Sequence, residues 1–335
     1  MDHDTTMATG RIRDRLTVSQ LGFGAAQLGN LSRAISDAEA AATVDAAWTA
    51  GIRYFDTAPH YGLGLSERRL GAALARRPRE EFVVSTKVGR LLVPSPATAH
   101  ERDTEGFDVP ADTRRVWDFS RDGVRRSIDA SLERLGLDRL DIVYVHDPDD
   151  FAEQAITEAL PALIALRDEG VIGAVGLGMN QTAVPTEAIR RTDVDVVMCA
   201  NRYTLLEQSA LDDLLPLASE RGVAIVAAAV YNSGLLARAR PATGAMYEYA
   251  PAPAALIERA NALADACEAE GVDLPAAAVQ YPLRHPAVVS VVLGMRSPAQ
   301  VADSLARWGR QLPESLWERL SASGLVRPAP AVGAP

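Results

Sequence analysis

Four ionisable side chains stand at the ends of three apolar runs. The stretch GIRYFDTAPHYGLGLSERRLGAAL, residues 51–74, carries an apolar run to Asp56, turns through Pro59, presents Tyr61 and then starts a helical pattern. FVVSTKVGR delivers Lys87 in the same way, and LDIVYVHDPDD delivers His146. A carboxylate, a phenol, an ammonium and an imidazole suit proton transfer at an oxygen atom. Free tyrosine titrates near about 10, and an adjacent ammonium favours its phenolate. Lys87 is the candidate for that tuning role, Asp56 for holding the lysine, and His146 for orienting a substrate oxygen by a hydrogen bond. Singly, each has a plainer reading, as a turn residue, a cap or a surface ion-pair partner. Their shared strand-end placement favours one common site.

A common site needs elements that bring three strand ends together. VSQLGFG, IRYFDT, FVVSTK, LDIVYVH, IGAVGLG, VDVVMCA, VAIVAAA and VVSVVLG are eight candidate strands separated by helical patterns. Runs of Val, Ile and Ala without polar alternation fit parallel strands buried on both faces. The fold class expected is α/β, a single-domain (β/α)8 TIM barrel over residues 1–335, whose strand C-termini converge on one mouth. Ser36 and Glu39 form a capping box for the helix ending at Gly51. Val124, Ile128, Leu132 and Leu135 recur at helical spacing before Gly136, with Arg125, Arg126, Glu133 and Arg134 read as a solvated outer face. Residues 89–119 break the rhythm with prolines and mixed charge and read as an irregular insertion at the mouth, a substrate wall or lid. The tail, 327–335, reads as flexible.

The chain has 335 residues, 48% of them hydrophobic, enough for one large core. A formal charge of −10 argues against a nucleic-acid surface while allowing a local basic pocket for a cofactor phosphate. Cys199 and Cys267 read as reduced, packed thiols, and the five histidines form no HxH or HExxH pattern, so no cofactor metal is expected. No stretch reads as a secretory leader or a membrane span, which points to a cytoplasmic protein, a monomer or a small homo-oligomer.

The chain resembles the aldo-keto reductases. That family's GxRxFDTAxxYG pattern is matched by Gly51, Arg53, Phe55, Asp56, Thr57, Ala58, Tyr61 and Gly62, its strand-end lysine by Lys87 and its histidine by His146. The likeness runs from LGFGAAQLGN to VVLGMRSPAQVADSL. It implies Tyr61 as acid/base, Lys87 and Asp56 as its tuning pair, His146 as the orienting residue, and NADP or NAD as cofactor, since hydride transfer at a carbon requires proton transfer at its oxygen.

The resemblance also implies a dinucleotide lying across the mouth, on loops after the later strands. Asn180 in GLGMNQ and Asn201 are candidate contacts for its nicotinamide end, together with Gly22 and Asp56. In VYNSGLL, Asn232, Ser233, Gly234 and Leu236 form a turn whose backbone N–H groups could meet a pyrophosphate. In GMRSPAQV, Gly294, Arg296, Ser297 and Gln300 lie where Pro298 opens a helix, so a guanidinium and a helix N-terminus face one anion site. The family's Ser-Asn pair is replaced by Met179 and Asn180, and its ring-stacking aromatic by Ala228.

Within the family, TKVGRLLVP, GLGMNQ and NRYTLLEQ resemble the branch that oxidises the anomeric carbon of sugars such as L-fucose, D-arabinose or L-galactose to lactones, related to a pyridoxal 4-dehydrogenase. Other readings are a reductase of small aldehydes or ketones, a pyridoxal 4-dehydrogenase, a non-enzymatic nicotinamide-binding regulatory subunit, and an unrelated barrel isomerase. In the enzymatic readings the partner is a small-molecule sugar or aldehyde.

Overall fold

The structure is a computed structural model that describes residues 7–248 and 250–328. The last seven residues of the tail read as flexible lie outside the described residues. Eight strands close into a parallel barrel: β1 (Leu21–Gly24), β2 (Tyr54–Asp56), β3 (Val83–Val88), β4 (Leu140–His146), β5 (Ile172–Met179), β6 (Val196–Ala200), β7 (Ala224–Ala228) and β8 (Val288–Gly294). Each pairs with its sequence neighbours, and β8 pairs with β1 to close the ring, Val292 opposite Gly22. The eight expected runs all fall in these strands, with one division. In VSQLGFG, Val18 and Ser19 belong instead to an antiparallel hairpin, Thr9–Ile12 with Leu16–Ser19. Ile12 and Val18 of that hairpin are buried in the interior cluster and plug the lower end of the barrel.

Strand periodicity decides what faces inward. Tyr54, Ile142, Tyr144, Ala174, Val196, Met198, Val226 and Val292 pack together inside. Their neighbours Phe55, Val143, Val145, Val175, Val197 and Val291 pack outward against the helices. Asp56 stands two residues beyond Tyr54 and His146 two beyond Tyr144, so both share the inward face one layer higher, at the mouth. The capping box is formed, Ser36 accepting from the Glu39 N–H while Glu39 accepts from that of Ser36.

Two expectations are corrected. Arg134 does not lie on a solvated face; its Nε donates to the fully buried Glu67 at 2.5 Å, tying the helix Arg121–Leu135 to the helix Leu65–Leu74. Residues 89–119 are not irregular throughout, because Arg90–Pro94 and Thr113–Trp117 form an antiparallel ladder. Its prolines stand at or beyond the ladder's end, where no N–H is required. Among the described residues no helix is long and apolar enough to cross a membrane.

Candidate active site

The mouth brings the four sequence-chosen residues together. Lys87 Nζ donates to Asp56 Oδ2 at 2.6 Å and to the carbonyl of Thr57 at 2.9 Å. Ser85 Oγ donates to the other carboxylate oxygen at 2.6 Å. Two of the three ammonium hydrogens are thereby engaged below, and the Tyr61 ring lies above with its centroid 4.7 Å from Nζ. The His146 ring stands edge-on to Tyr61 at 6.0 Å. Tyr61 is placed by a close backbone contact: a Cβ on Gly62 would lie 2.2 Å from the Gly29 carbonyl oxygen, and Gly62 has φ +62°. Glycine is required there both for room and for the left-handed conformation.

Burial raises the Tyr61 pKa above its ordinary value, and the lowering effect of Lys87 only partly offsets this. Tyr61 is therefore a neutral phenol at neutral pH, whereas the ammonium argument taken alone favours the phenolate. For Lys87, burial opposes the charge, but Asp56 and Tyr61 outweigh it and the pKa rises, so the side chain stays cationic. Burial, reinforced by Arg90 and Lys87, holds His146 well below its ordinary range. It is a neutral imidazole at physiological pH, with one donor and one acceptor nitrogen.

The insertion forms one wall. Phe107 is buried and packs 6.1 Å from Tyr61 and 5.2 Å from His60, while Arg115 pairs with Asp103 at 2.6 Å and donates to the His60 carbonyl at 2.9 Å. These contacts dock the loop onto the barrel. Beside His146 a cavity of about 230 Å³ is lined by Arg90, Trp117, Asp147, Asp149, Phe151 and Asn180, among others. Trp117 and Phe151 keep exposed faces, and Arg90 bridges Trp117, 4.5 Å from its ring, and Asp147 Oδ2, at 2.7 Å. His60, Arg90, Trp117 and Phe151 were not singled out by the sequence. His60 lies inside the APHYG motif, but the others carry no local signal and become neighbours only when the insertion folds back.

Most of the proposed cofactor contacts follow β5 to β8 on the same side. Asn201 and Asn232 are brought together, with Asn232 Nδ2 donating to the Asn201 carbonyl at 3.4 Å. The turn at Ser233 differs from expectation: the N–H groups of Asn232, Gly234, Leu235 and Leu236 already donate to carbonyls within the segment. It therefore offers side chains in place of a row of free N–H groups, and Leu236 is buried. Gly22 faces the barrel interior, where a Cβ would lie 2.9 Å from Tyr54 and from Val292, so its place is to make room below the mouth.

Ser297 caps the helix Pro298–Trp308, and Gln300 Oε1 accepts from the Arg296 N–H at 2.9 Å. Burial, with the charge of Arg33, lowers the Arg296 pKa, so two like charges lie near one another and Arg296 stands just before the Ser297-capped helix end. The amide oxygens of Gln27, Asn201 and Asn232 are buried without a hydrogen-bond partner among the described residues, and a Cβ on Gly294, the last residue of β8, would lie 3.0 Å from the Gln27 amide. Unsatisfied acceptors and a cationic helix terminus fit a ligand with amide or hydroxyl donors at one end and phosphate at the other, the chemistry of a nicotinamide dinucleotide.

Comparisons with known proteins agree with this geometry. The chain is 49% identical to a D-threo-aldose 1-dehydrogenase from Pseudomonas sp, over 93% of this chain and 95% of that one. It is 41% identical to a pyridoxal 4-dehydrogenase from Microbacterium luteolum, covering 94% and 96%, and 35% identical to an L-galactose dehydrogenase from Arabidopsis thaliana, covering 87% and 84%. An aldo-keto reductase from Bacillus halodurans, solved in its holo form, matches with a TM-score of 0.76 at 26% identity over 97% of this chain and 99% of that one. A model of the aldo/keto reductase family matches residues 20–324. With that match and a mouth assembled from Asp56, Tyr61, Lys87 and His146, the chain belongs to the aldo/keto reductase family.

Proposed function

We propose that this protein is an NAD(P)-dependent aldose 1-dehydrogenase acting on a cyclic sugar hemiacetal. The observation that carries the reading is the stack of Asp56, Lys87 and Tyr61 beside a neutral His146, in a chain whose relatives of 49% and 35% identity are named for aldose and L-galactose dehydrogenation. When bound, nicotinamide supplies the hydride acceptor. His146 donates a hydrogen bond to the anomeric oxygen and fixes its direction. Tyr61, as phenolate, takes the hydroxyl proton as the C1–H bonding pair departs as hydride and the C1–O double bond of the lactone forms. Lys87, held by Asp56, stabilises the phenolate.

Arg33, Arg296 and the helix end at Ser297 hold the dinucleotide phosphates, and Asn180, Asn201 and Asn232 meet its nicotinamide end. The two buried free thiols suit a reducing cytoplasm.

A second reading, reduction of small aldehydes, draws support from the raised Tyr61 pKa, because a neutral phenol is already the acid that carbonyl reduction needs. The test is formation of reduced nicotinamide from L-fucose, D-arabinose, L-galactose or pyridoxal with NAD and with NADP. Turnover of a sugar supports the dehydrogenase; silence on all four with reduction of simple aldehydes moves the assignment to a reductase. Tyr61→Phe should lower kcat by roughly 10²–10⁴-fold while binding cofactor normally. Full activity in that variant would remove Tyr61 from the mechanism.

A further inference from the structure

Below the reacting groups the barrel interior holds three hydroxyls that the mechanism has not used. Tyr144 OH lies 3.1 Å from Tyr54 OH, Tyr54 OH lies 3.1 Å from Ser85 Oγ, and Ser85 Oγ lies 2.6 Å from Asp56 Oδ1. Tyr54, Ser85 and Tyr144 are all fully buried. The proton positions follow from the end of the chain. Asp56, facing the Lys87 ammonium, is a carboxylate and can only accept, so Ser85 spends its one hydrogen on Asp56. Ser85 then accepts from Tyr54, and Tyr54, its hydrogen spent, accepts from Tyr144. Burial raises the pKa of both phenols, so neither loses the proton that the chain requires.

We propose that Ser85, Tyr54 and Tyr144 are positioning residues: a one-way relay of hydroxyl dipoles, all aimed at Asp56, that fixes the carboxylate so that its other oxygen holds Lys87 under Tyr61. The strand pattern supports this placement. Tyr54 and Tyr144 occupy the inward positions two residues before Asp56 and His146, and Ser85 the one two residues before Lys87, so one layer of side chains supports the layer above it. Gly22 is part of the same construction, because the Tyr54 ring fills the space a Cβ would take. A carboxylate whose Oδ1 lost its donor would present more unscreened charge to Tyr61, and Asp56 already acts to raise the Tyr61 pKa.

The proposal rests on Tyr61 being the acid/base, and the test separates the two ideas. The pH profile of kcat/KM for sugar oxidation is measured for wild type, Ser85→Ala, Tyr54→Phe, Tyr144→Phe, Ser85→Thr and Tyr61→Phe, with the thermal midpoint of each. In Ser85→Ala and Tyr54→Phe the ascending limb of the oxidation profile should move to higher pH by about half a unit or more, and kcat should fall about tenfold with the substrate KM within about threefold of wild type. The effect should be smaller for Tyr144→Phe, at the far end, and Ser85→Thr, which keeps the hydroxyl, should restore the profile. Tyr54→Phe, which loses one oxygen atom, carries the test if Ser85→Ala fails to fold. Lowered thermal midpoints with wild-type profiles and kcat would reduce the three residues to packing and overturn the proposal. Loss of the profile in Tyr61→Phe alone, with the relay variants unchanged, would sink the relay and leave the acid/base assignment standing.

Discussion

At the scale of single residues, the balance at Tyr61 decides when each direction of the reaction runs. Its pKa is raised by burial and lowered by Lys87, with burial the larger, so the protonated form dominates at neutral pH. Oxidation needs the conjugate base. Its kcat/KM should therefore climb about tenfold per pH unit below the Tyr61 pKa and level off above it, while aldehyde reduction should be flat at neutral pH and fall on the alkaline side. Lys87→Met removes the charge that lowers this pKa. The plateau for oxidation should then move to higher pH, and the rate at pH 7 should drop by roughly 10²-fold or more, read as initial rates across pH 6 to 11. An unchanged profile in Lys87→Met would show that the ammonium does not tune Tyr61.

At the scale of elements, the insertion is a docked wall. It begins at Gly89, whose φ is +110° and where a Cβ would fall 2.1 Å from the Phe119 ring. A side chain there is barred both by backbone conformation and by space. Gly89→Ala should cost about 2 kcal/mol or more of stability and should raise the substrate KM, because the ladder carrying Trp117 starts one residue later. Denaturant midpoints and steady-state kinetics check it; wild-type values in both would mean the ladder tolerates another path. The ladder was hidden in the sequence because its two strands are separated by a proline- and charge-rich tip, residues 95–112. Leu91 faces the core, whereas Leu92, Val93 and Val116 are only half-buried, so the alternation that marks a half-buried strand is blurred.

At the scale of the whole molecule, the cluster of aromatic rings at the mouth couples the site to acid stability. Burial, then Arg90 and Arg115, lower the His60 pKa to about 2, and His146 is also held well below its ordinary range. Both groups therefore have folded pKa values below the unfolded value, and the unfolded chain binds the extra protons. Stability is fully present above about pH 6.5 and is lost as pH falls below it, by up to about 1.4 kcal/mol per pH unit for each histidine. Unfolding midpoints measured from pH 7.5 to 4.5 should fall, with a shallower fall in His60→Asn; equal slopes would place the acid sensitivity elsewhere. The sequence alone determined the eight strands, the barrel class and the four mouth residues, because period, strand-end position and the FDTA…YG spacing are local properties of the chain. The packing of the mouth was decided by tertiary structure. That Arg134 is drawn inward by Glu67, that Phe107 meets Tyr61, that Asn232 meets Asn201, and that Ser85 donates to Asp56 are facts about neighbours distant in sequence. The Tyr61 pKa belongs to the same level: the sequence supplies the lysine that lowers it, but only the closed barrel supplies the burial that outweighs that charge.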